Sequence, residues 1–184
     1  MGYDVFGVID GWSSVQLQPH RGPGHRGIMP IRHARVADIP YMVAIAETKR
    51  VEYEGYSPVF WRKAPDASPK QERYLQSLLT SPDVIALVAQ VGDSLVGFVI
   101  GALTTAPPVY NPGGPVCIVD DFVVATPADW PTVGGALWAA MGREAKARGA
   151  VLIVAVCAQR DQAKRALLQE TGCSVASEWH VKPL

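Results

Sequence analysis

The stretch 116–149 constrains the fold of this chain more than any other part of the sequence. It opens with an apolar, β-branched block, Val-Cys-Ile-Val-Asp-Asp-Phe-Val-Val-Ala, whose middle holds Asp120 and Asp121. This pattern predicts a buried strand. A proline-containing turn follows, and apolar residues at helical spacing from Leu137 onward predict a helix that ends at Gly149. Because a helix N-terminus has unpaired backbone N–H groups, a strand that turns directly into a helix is a common site for a phosphate or pyrophosphate.

The rest of the chain predicts a mixed α/β domain built around that unit. Hydrophobic periodicity and turn residues mark elements in the order β-α-α-β-β-β-α-β-α-β. Around the central strand and helix, the predicted elements are a strand at 31–36, helices at 38–56 and 70–79, strands at 84–91 and 95–103, a strand at 150–158, a helix at 159–169 and a strand at 173–181. This order predicts one sheet, antiparallel at the front and parallel near the central crossover, with helices on both faces. The run 150–158 is almost wholly apolar, which is typical of a strand covered on both faces.

Composition narrows the class of protein. The chain has 184 residues and a formal net charge of zero, which suits one domain with a real core and argues against nucleic acid as a partner. Its three cysteines are odd in number and their spacing does not match a zinc site, so we expect reduced thiols and no bound metal. No apolar run approaches the roughly 20 residues of a membrane span. These features predict a cytoplasmic, enzyme-sized domain with no membrane partner.

Residues 1–30 differ from the domain predicted at 31–184. They include a run of Pro, Gly, His and Arg that sustains neither helix nor sheet. One interpretation is a flexible arm, or an extension that precedes a natural start at Met29. The alternative is an arm that docks on a neighbouring subunit of a homodimer through Phe6 and Trp12.

The central stretch resembles the GNAT superfamily of acyl-CoA-dependent N-acetyltransferases. Residues 119–124, Val-Asp-Asp-Phe-Val-Val, match the family's strand pattern Ile-Glu-Asp-Leu-Tyr-Val. The family's loop pattern, Arg/Gln-x-x-Gly-x-Gly/Ala, is only partly present, because Gly134 takes its last place while Thr132 and Asp129 replace the first Gly and the Arg/Gln. The resemblance extends over 31–184 in element order. It implies the GNAT-like acyl-CoA N-acyltransferase fold, a mixed central sheet with helices on both faces.

This resemblance implies acetyl-CoA as co-substrate. The backbone of Phe122, Val123 and Val124 would pair with the pantetheine arm like an added strand, and a backbone N–H there would polarise the acetyl carbonyl. The turn would bind the pyrophosphate through its amides. The turn residues assigned to the cofactor are Trp130, Thr132, Val133, Gly134, Gly135 and Ala136. The alternatives are a plain core strand and a turn in which Asp129 caps the helix.

Asp120 stands where GNAT enzymes often carry a glutamate that takes a proton from the incoming ammonium, usually through water. Burial would raise the pKa of this carboxylate and make it a better base. Because consecutive strand residues point to opposite faces, we expect at most one of Asp120 and Asp121 to face a given pocket; Asp121 would help to hold a cationic substrate. The alternative is that either carboxylate pairs with an arginine or lies at an exposed strand end. The family's tyrosine acid has no counterpart, since Leu168 takes its position, and Tyr110 and His180 are candidate replacements.

An acidic and aromatic cluster follows the first predicted helix. In GNAT folds this region covers the acceptor site, and carboxylates beside aromatic rings suit an ammonium ligand. We therefore assign Glu52, Tyr56 and Trp61 to the substrate. A solvated helix face and an ordinary loop anchor are the alternatives for each of them.

The leading hypothesis is an enzyme, a transferase that moves an acetyl group from acetyl-CoA to a primary amine of a small molecule or peptide by direct attack. The alternative is a GNAT-fold module that has lost catalysis and binds acyl-CoA or another small ligand. The replaced tyrosine and loop residues favour this second hypothesis. A third is an interaction module that assembles through residues 1–30.

Overall fold

The structure, a computed structural model, describes residues 29–184. The predicted N-terminal arm lies outside the described residues except for Met29 and Pro30, and so do the docking residues Phe6 and Trp12. The division of the chain into an arm and a domain therefore stays a prediction.

Five strands form one mixed sheet in the order β1-β2-β3-β4-β5. The elements are β1 (Ile31–His33), α1 (Ile39–Tyr56), α2 (Ala67–Leu79), β2 (Val84–Val91), β3 (Ser94–Thr104), β4 (Val116–Val124), α3 (Gly135–Ala147), β5 (Leu152–Ala155) and α4 (Gln162–Glu170). The pairs from β1 to β4 are antiparallel, whereas β4 and β5 are parallel and α3 forms the crossover between them. The predicted mixed sheet with helices on both faces is confirmed.

The sheet separates two apolar cores. On the face covered by α1 and α2, here called the α1 face, Phe98 and Val123 pack against helix residues such as Met42. On the opposite α3 face, Phe122 packs against Trp130 and residues of α3 and α4. The alternation of strand side chains between the two faces follows from the pleat of each strand.

Local sequence accounts for the ends of several elements. Gly92 turns the β2–β3 hairpin with φ +58°, and Gly149 ends the central helix with φ +84°. Both lie in the left-handed region, which glycine adopts without the steric cost that a side chain brings. Both positions are glycines that the sequence pattern predicts as turn or stop residues.

Two predictions about the C-terminal part are wrong. Residues 173–184 contain no strand, so the predicted strand at 173–181 does not form. Residues 150–158 yield only the short β5, and Leu152 is 50% exposed. The predicted covering of that strand on both faces fails because the face with Leu152 and Val154 borders an open groove. Within the same range, none of the helices combines the length and apolar character that a membrane crossing requires.

Candidate functional site

A β-bulge in β4 sets the geometry of the candidate site. The register between β3 and β4 shifts opposite Asp120, which leaves this residue without a pairing partner on β3. Val119 and Phe122, on either side of the two aspartates, both pack on the α3 face. Asp120 and Asp121 therefore both lie on the α1 side, and both line one pocket. The expectation that only one of them faces a pocket is wrong, because a bulge breaks the alternation of an ideal strand.

The pocket lies between α1, the loop before α2, β4 and α4, and has a volume of about 360 Å³. We call it the α1 pocket. Its walls include Lys49, Arg50, Tyr53, Phe60, Trp61, Asp120, Asp121 and Lys164. It thus brings two carboxylates, several cations and aromatic rings together at the point where β4 leaves β5.

The two carboxylates of the pocket differ in environment. Asp120 is exposed and Asp121 is half-buried. Burial raises the pKa of Asp121, and the charge of Asp120 raises it further, while Lys164 and Arg50 act in the opposite direction. Among the described residues, neither carboxylate has a hydrogen-bond or ion-pair partner within the protein. The environment of Asp121 therefore favours proton uptake.

A gap opens between β4 and β5 beside these carboxylates. The parallel pairing ends at Val119 and Ala155, and the last backbone bond runs from the Val156 N–H to the Val119 carbonyl at 2.9 Å. Beyond that point β4 continues to Val124 and, within residues 29–184, pairs with β3 alone. The backbone edge of residues 120–124 that faces away from β3 is thus available for an extended ligand.

Buried side chains occupy the inner end of this gap. The rings of Phe122 and Trp130 meet edge-on with centroids 4.8 Å apart. Lys164 of α4 places Nζ 5.4 Å from the Phe122 ring centroid and 5.8 Å from that of Trp130. Lys164 is only 2% exposed. Sequence reasoning missed Lys164, although its spacing from Leu167 and Leu168 places it on the core face of an amphipathic helix.

Asp161 joins α1 to α4 across the gap. Its carboxylate lies 2.7 Å from Nζ of Lys49 and accepts a hydrogen bond from the Tyr53 hydroxyl at 3.0 Å. It also accepts the backbone N–H of Lys164 at 3.3 Å and so caps α4. Burial and the charge of Asp161 raise the pKa of Tyr53. These contacts compensate the buried charge of Asp161, which therefore has a structural role.

The predicted substrate residues separate in the structure. Trp61 lines the α1 pocket, and its ring packs on that of Tyr53 with centroids 4.9 Å apart and a tilt of 52°. Glu52 instead pairs with Lys49 at 2.9 Å and accepts a hydrogen bond from the Tyr56 hydroxyl. Of the three, only Trp61 lies in the wall of the pocket.

The predicted acid candidates lie away from the α1 pocket. Tyr110 is 71% exposed and borders a separate apolar groove with Ile118 and Leu152. His180 is also exposed, in the segment after α4. The structure therefore brings Asp120, Asp121 and Trp61 together, but not these two.

The turn after β4 is helical from its first residues. A 3₁₀ turn at Pro127–Asp129 and a π-helical turn at Trp130–Gly134 lead directly into α3. The amides of Asp129, Trp130 and Gly135 already donate to carbonyls of the same segment. The Asp129 carboxylate accepts from the Thr126 hydroxyl at 2.8 Å instead of capping the backbone. The helical segment thus begins at Pro127, ten residues before the Leu137 from which the sequence pattern marks the helix.

The need for glycine at position 134 is explained by tight packing within the protein. A Cβ at this position would lie 2.6 Å from Cε3 of Trp130 and 3.0 Å from Cδ2 of Leu167. At Gly135 a Cβ would meet only Leu167, at 3.7 Å. The fit to acetyl-CoA is therefore partial, since the open edge of β4 suits an extended arm but the Trp130 and Gly135 amides are already bonded.

A mixed sheet in which β4 separates from β5 beside a helical crossover defines the GNAT class of folds. No protein-family model matches the sequence, and no curated protein matches it. Among solved structures, a predicted acetyltransferase with acetyl-CoA from Clostridium acetobutylicum is similar, with a TM-score of 0.67 and 20% identity over 85% of this chain and 96% of that chain.

Two further structures are a ribosomal-protein-alanine N-acetyltransferase from Brucella melitensis and an aminoglycoside acetyltransferase from an uncultured soil metagenomic sample, in complex with sisomicin. The first has a TM-score of 0.59 and 18% identity over 85% of this chain and 99% of that chain. The second has a TM-score of 0.60 and 18% identity over 85% and 95%. At such identities the similarity establishes the fold. The chain has the GNAT fold, as the central stretch predicts.

Proposed function

We propose that this protein transfers an acetyl group from acetyl-CoA to a primary amine of a small molecule or peptide. The observation that carries the proposal is the pair Asp120 and Asp121, which lies in the α1 pocket at the point where β4 leaves β5. The GNAT fold and the acetyltransferases that share it support the same chemistry. The aromatic rings of Phe60 and Trp61 in the pocket wall would complement a cationic amine.

Asp121 is the proposed base. An acceptor ammonium attracted by the two carboxylates would give up a proton to Asp121, whose raised pKa makes it a better base than an ordinary aspartate. The free amine nitrogen then bonds to the thioester carbonyl carbon as the carbon–sulfur bond breaks, and the thiol leaves with a proton. Asp120, which is exposed, would attract the ammonium without being the proton acceptor.

A non-catalytic ligand-binding module is the second candidate. Lys164 lies at the inner end of the gap, Trp130 packs on Gly134, and Leu168 stands at the position of the family's tyrosine acid. These features fill with protein side chains part of the space that an acyl donor would need. They favour binding of a ligand in the α1 pocket without turnover.

Calorimetry with acetyl-CoA up to millimolar concentration tests the proposal, followed by a panel of primary amines with thiol release as the readout. We expect binding and turnover, with Asp121→Asn abolishing thiol release while acetyl-CoA still binds. Asp120→Asn is the matched control and should retain most of the activity, because this carboxylate is exposed. Absence of binding overturns both candidates, and binding without turnover on any amine supports the second one.

The cytoplasmic location and the homodimer remain predictions. Size-exclusion chromatography of the full chain and of a chain that begins at Met29 tests the second of these. We expect the full chain to elute as a dimer and the shorter chain as a monomer if the N-terminal arm joins the subunits.

A further inference from the structure

Lys164 is a buried amine in the α1 pocket that lacks an anionic partner. It is 2% exposed, and among the described residues no carboxylate oxygen lies within 4.0 Å of its Nζ. Its Nζ lies over the rings of Phe122 and Trp130. Lys49 in the same pocket is different, because it pairs with Asp161 at 2.7 Å and with Glu52 at 2.9 Å. The two lysines thus share a site but have opposite environments.

The environment of Lys164 favours the neutral amine. An ammonium group buried without a counter-ion is costly, and the cation–π contacts with Phe122 and Trp130 offset only part of that cost. Lys49 adds to this preference, because its Nζ lies 5.9 Å from the same Trp130 ring that Lys164 approaches to 5.8 Å. Two ammonium groups around one indole repel each other, and the carboxylate of Asp161 already pairs with Lys49.

The pKa of Lys164 is shifted by groups on four parts of the fold. Burial lowers this pKa most, and the charge of Lys49 on α1 also lowers it. Three acidic groups raise it, namely Cys157 after β5, Asp161 at the start of α4 and Asp121 on β4. The net direction is down from the ordinary value of a lysine. A buried lysine whose pKa is lowered is a better nucleophile than an exposed one.

The Lys164 amine lies beside the segment of β4 that would hold an acyl donor. Its side chain lies over Phe122, which belongs to the β4 segment that pairs with β3 alone among the described residues. That segment is the one proposed above to hold the acyl donor. Lys164 is also one helical turn before Leu168 and on the same face of α4. The amine therefore lies inside the gap, where only a molecule bound in the pocket can reach it.

We propose that Lys164 is an acyl-acceptor site, so that the protein acylates its own chain from a thioester bound along β4. The Nζ of Lys164 bonds to the thioester carbonyl carbon, the carbon–sulfur bond breaks, and the departing thiolate takes up the proton that the amine loses. The product is a neutral amide, which removes the buried ionisable group from the gap. This inference rests on the proposed function only in that both use a thioester donor.

The test uses the wild-type protein and two donors. One sample is incubated with acetyl-CoA and the other with S-acetyl-N-acetylcysteamine, a short thioester without a nucleotide. We expect the intact mass to rise by one acetyl group per chain, with peptide mapping placing it on Lys164. Lys49 is the internal control, since its Nζ is engaged in ion pairs with Asp161 and Glu52, and exposed Lys146 reports non-specific acylation. Both should remain unmodified when Lys164 is fully acetylated.

Variants confirm the assignment. Lys164→Arg replaces the amine with a guanidinium group and Lys164→Met keeps the length without an amine, and neither should gain an acetyl group from either donor. Circular dichroism checks that they fold. If one does not fold, mapping of the wild-type chain still decides.

The outcomes separate this inference from the proposed function. Acetyl-CoA that fails to bind, together with labelling of Lys164 by the short thioester, would overturn the proposed function and support the acceptor role. Thiol release with external amines while Lys164 stays unmodified would overturn the acceptor role and support the function. Labelling spread over Lys49 and Lys146, or no labelling by either donor, also overturns the acceptor role.

Discussion

Replacing Gly134 by alanine should destabilise the protein, although both backbone angles suit alanine. Gly134 has φ −58° and ψ −47°, ordinary helical values. The added Cβ would lie 2.6 Å from one ring atom of Trp130 and 3.0 Å from a methyl group of Leu167. Both side chains are buried, and Trp130 is fixed against Phe122 at 4.8 Å. Neither can move away without disturbing the core on the α3 face.

Gly135→Ala provides the matched control for the magnitude. Its backbone has nearly the same angles, and its added Cβ makes only an ordinary contact with Leu167 at 3.7 Å. Both changes gain helix propensity of up to about 1 kcal/mol. Overpacking adds a cost of about 1–3 kcal/mol at Gly134 alone. We therefore expect Gly134→Ala to be about 1–3 kcal/mol less stable than Gly135→Ala, which should match or exceed the wild type.

Urea unfolding with linear extrapolation measures both free energies. The reasoning is refuted if Gly134→Ala proves as stable as Gly135→Ala. Calorimetry with acetyl-CoA on the same two proteins adds a second readout. A Gly134→Ala protein that keeps its stability but loses acetyl-CoA binding would show that this glycine makes room for a ligand rather than for Trp130.

Three further substitutions test the electrostatics and the core. Asp38→Asn should lower the free energy of unfolding at pH 7 by about 1.5–3 kcal/mol, because it removes charged hydrogen bonds from Arg32 of 2.7 and 2.8 Å. This pairing lowers the pKa of Asp38. The stabilisation from the pair is therefore present above the unfolded pKa of about 3.9 and is lost as the pH falls through the folded pKa. Equal losses of unfolding free energy at pH 7 and pH 3 would contradict this prediction. Asp121→Asn should raise the thermal midpoint at pH 7, because the raised pKa of Asp121 makes its charge oppose folding as the pH rises from the unfolded pKa through the folded one; a lower midpoint would count against this. Trp130→Ala should cost about 3–5 kcal/mol in urea unfolding because Trp130 is 1% exposed. Trp179→Ala is its control at 79% exposure and should change stability by less than about 0.5 kcal/mol, so a similar loss in both would refute the assignment.

The fold was predictable wherever local patterns decide structure. The hairpin of β2 and β3 follows from two apolar strands around Gly92, and the central strand and helix follow from periodicity and the stop at Gly149. The last part of the chain was not predictable in this way. The apolar run 150–158 reads the same in a strand covered on both faces and in one covered on a single face, and the difference depends on which elements pack on it. Whether residues 173–181 pair as a strand likewise depends on tertiary contacts.

The candidate site was predictable in its residues but not in its geometry. The adjacent carboxylates Asp120 and Asp121 stand out in an apolar strand. The bulge that turns both toward the α1 pocket depends on the register with β3, which is distant in sequence. For the same reason the sequence favoured Asp120 as the base, whereas the enclosure of Asp121 appears only when α1 covers the strand. Lys164 could not be assigned to the site from the sequence, because the assignment depends on which residues pack against the core face of α4.

Asp121 and Lys164, which both line the α1 pocket, shift each other's pKa. The charge of Lys164 lowers the pKa of Asp121, and that of Asp121 raises the pKa of Lys164. Burial opposes both charges, because it raises the pKa of Asp121 and lowers that of Lys164. An acceptor ammonium that enters beside Asp121 would favour the carboxylate, the form that can accept a proton. The arriving substrate would then prepare its own base, and the Lys164 amine would compete with it for the same acyl group if Lys164 is the acceptor site proposed above.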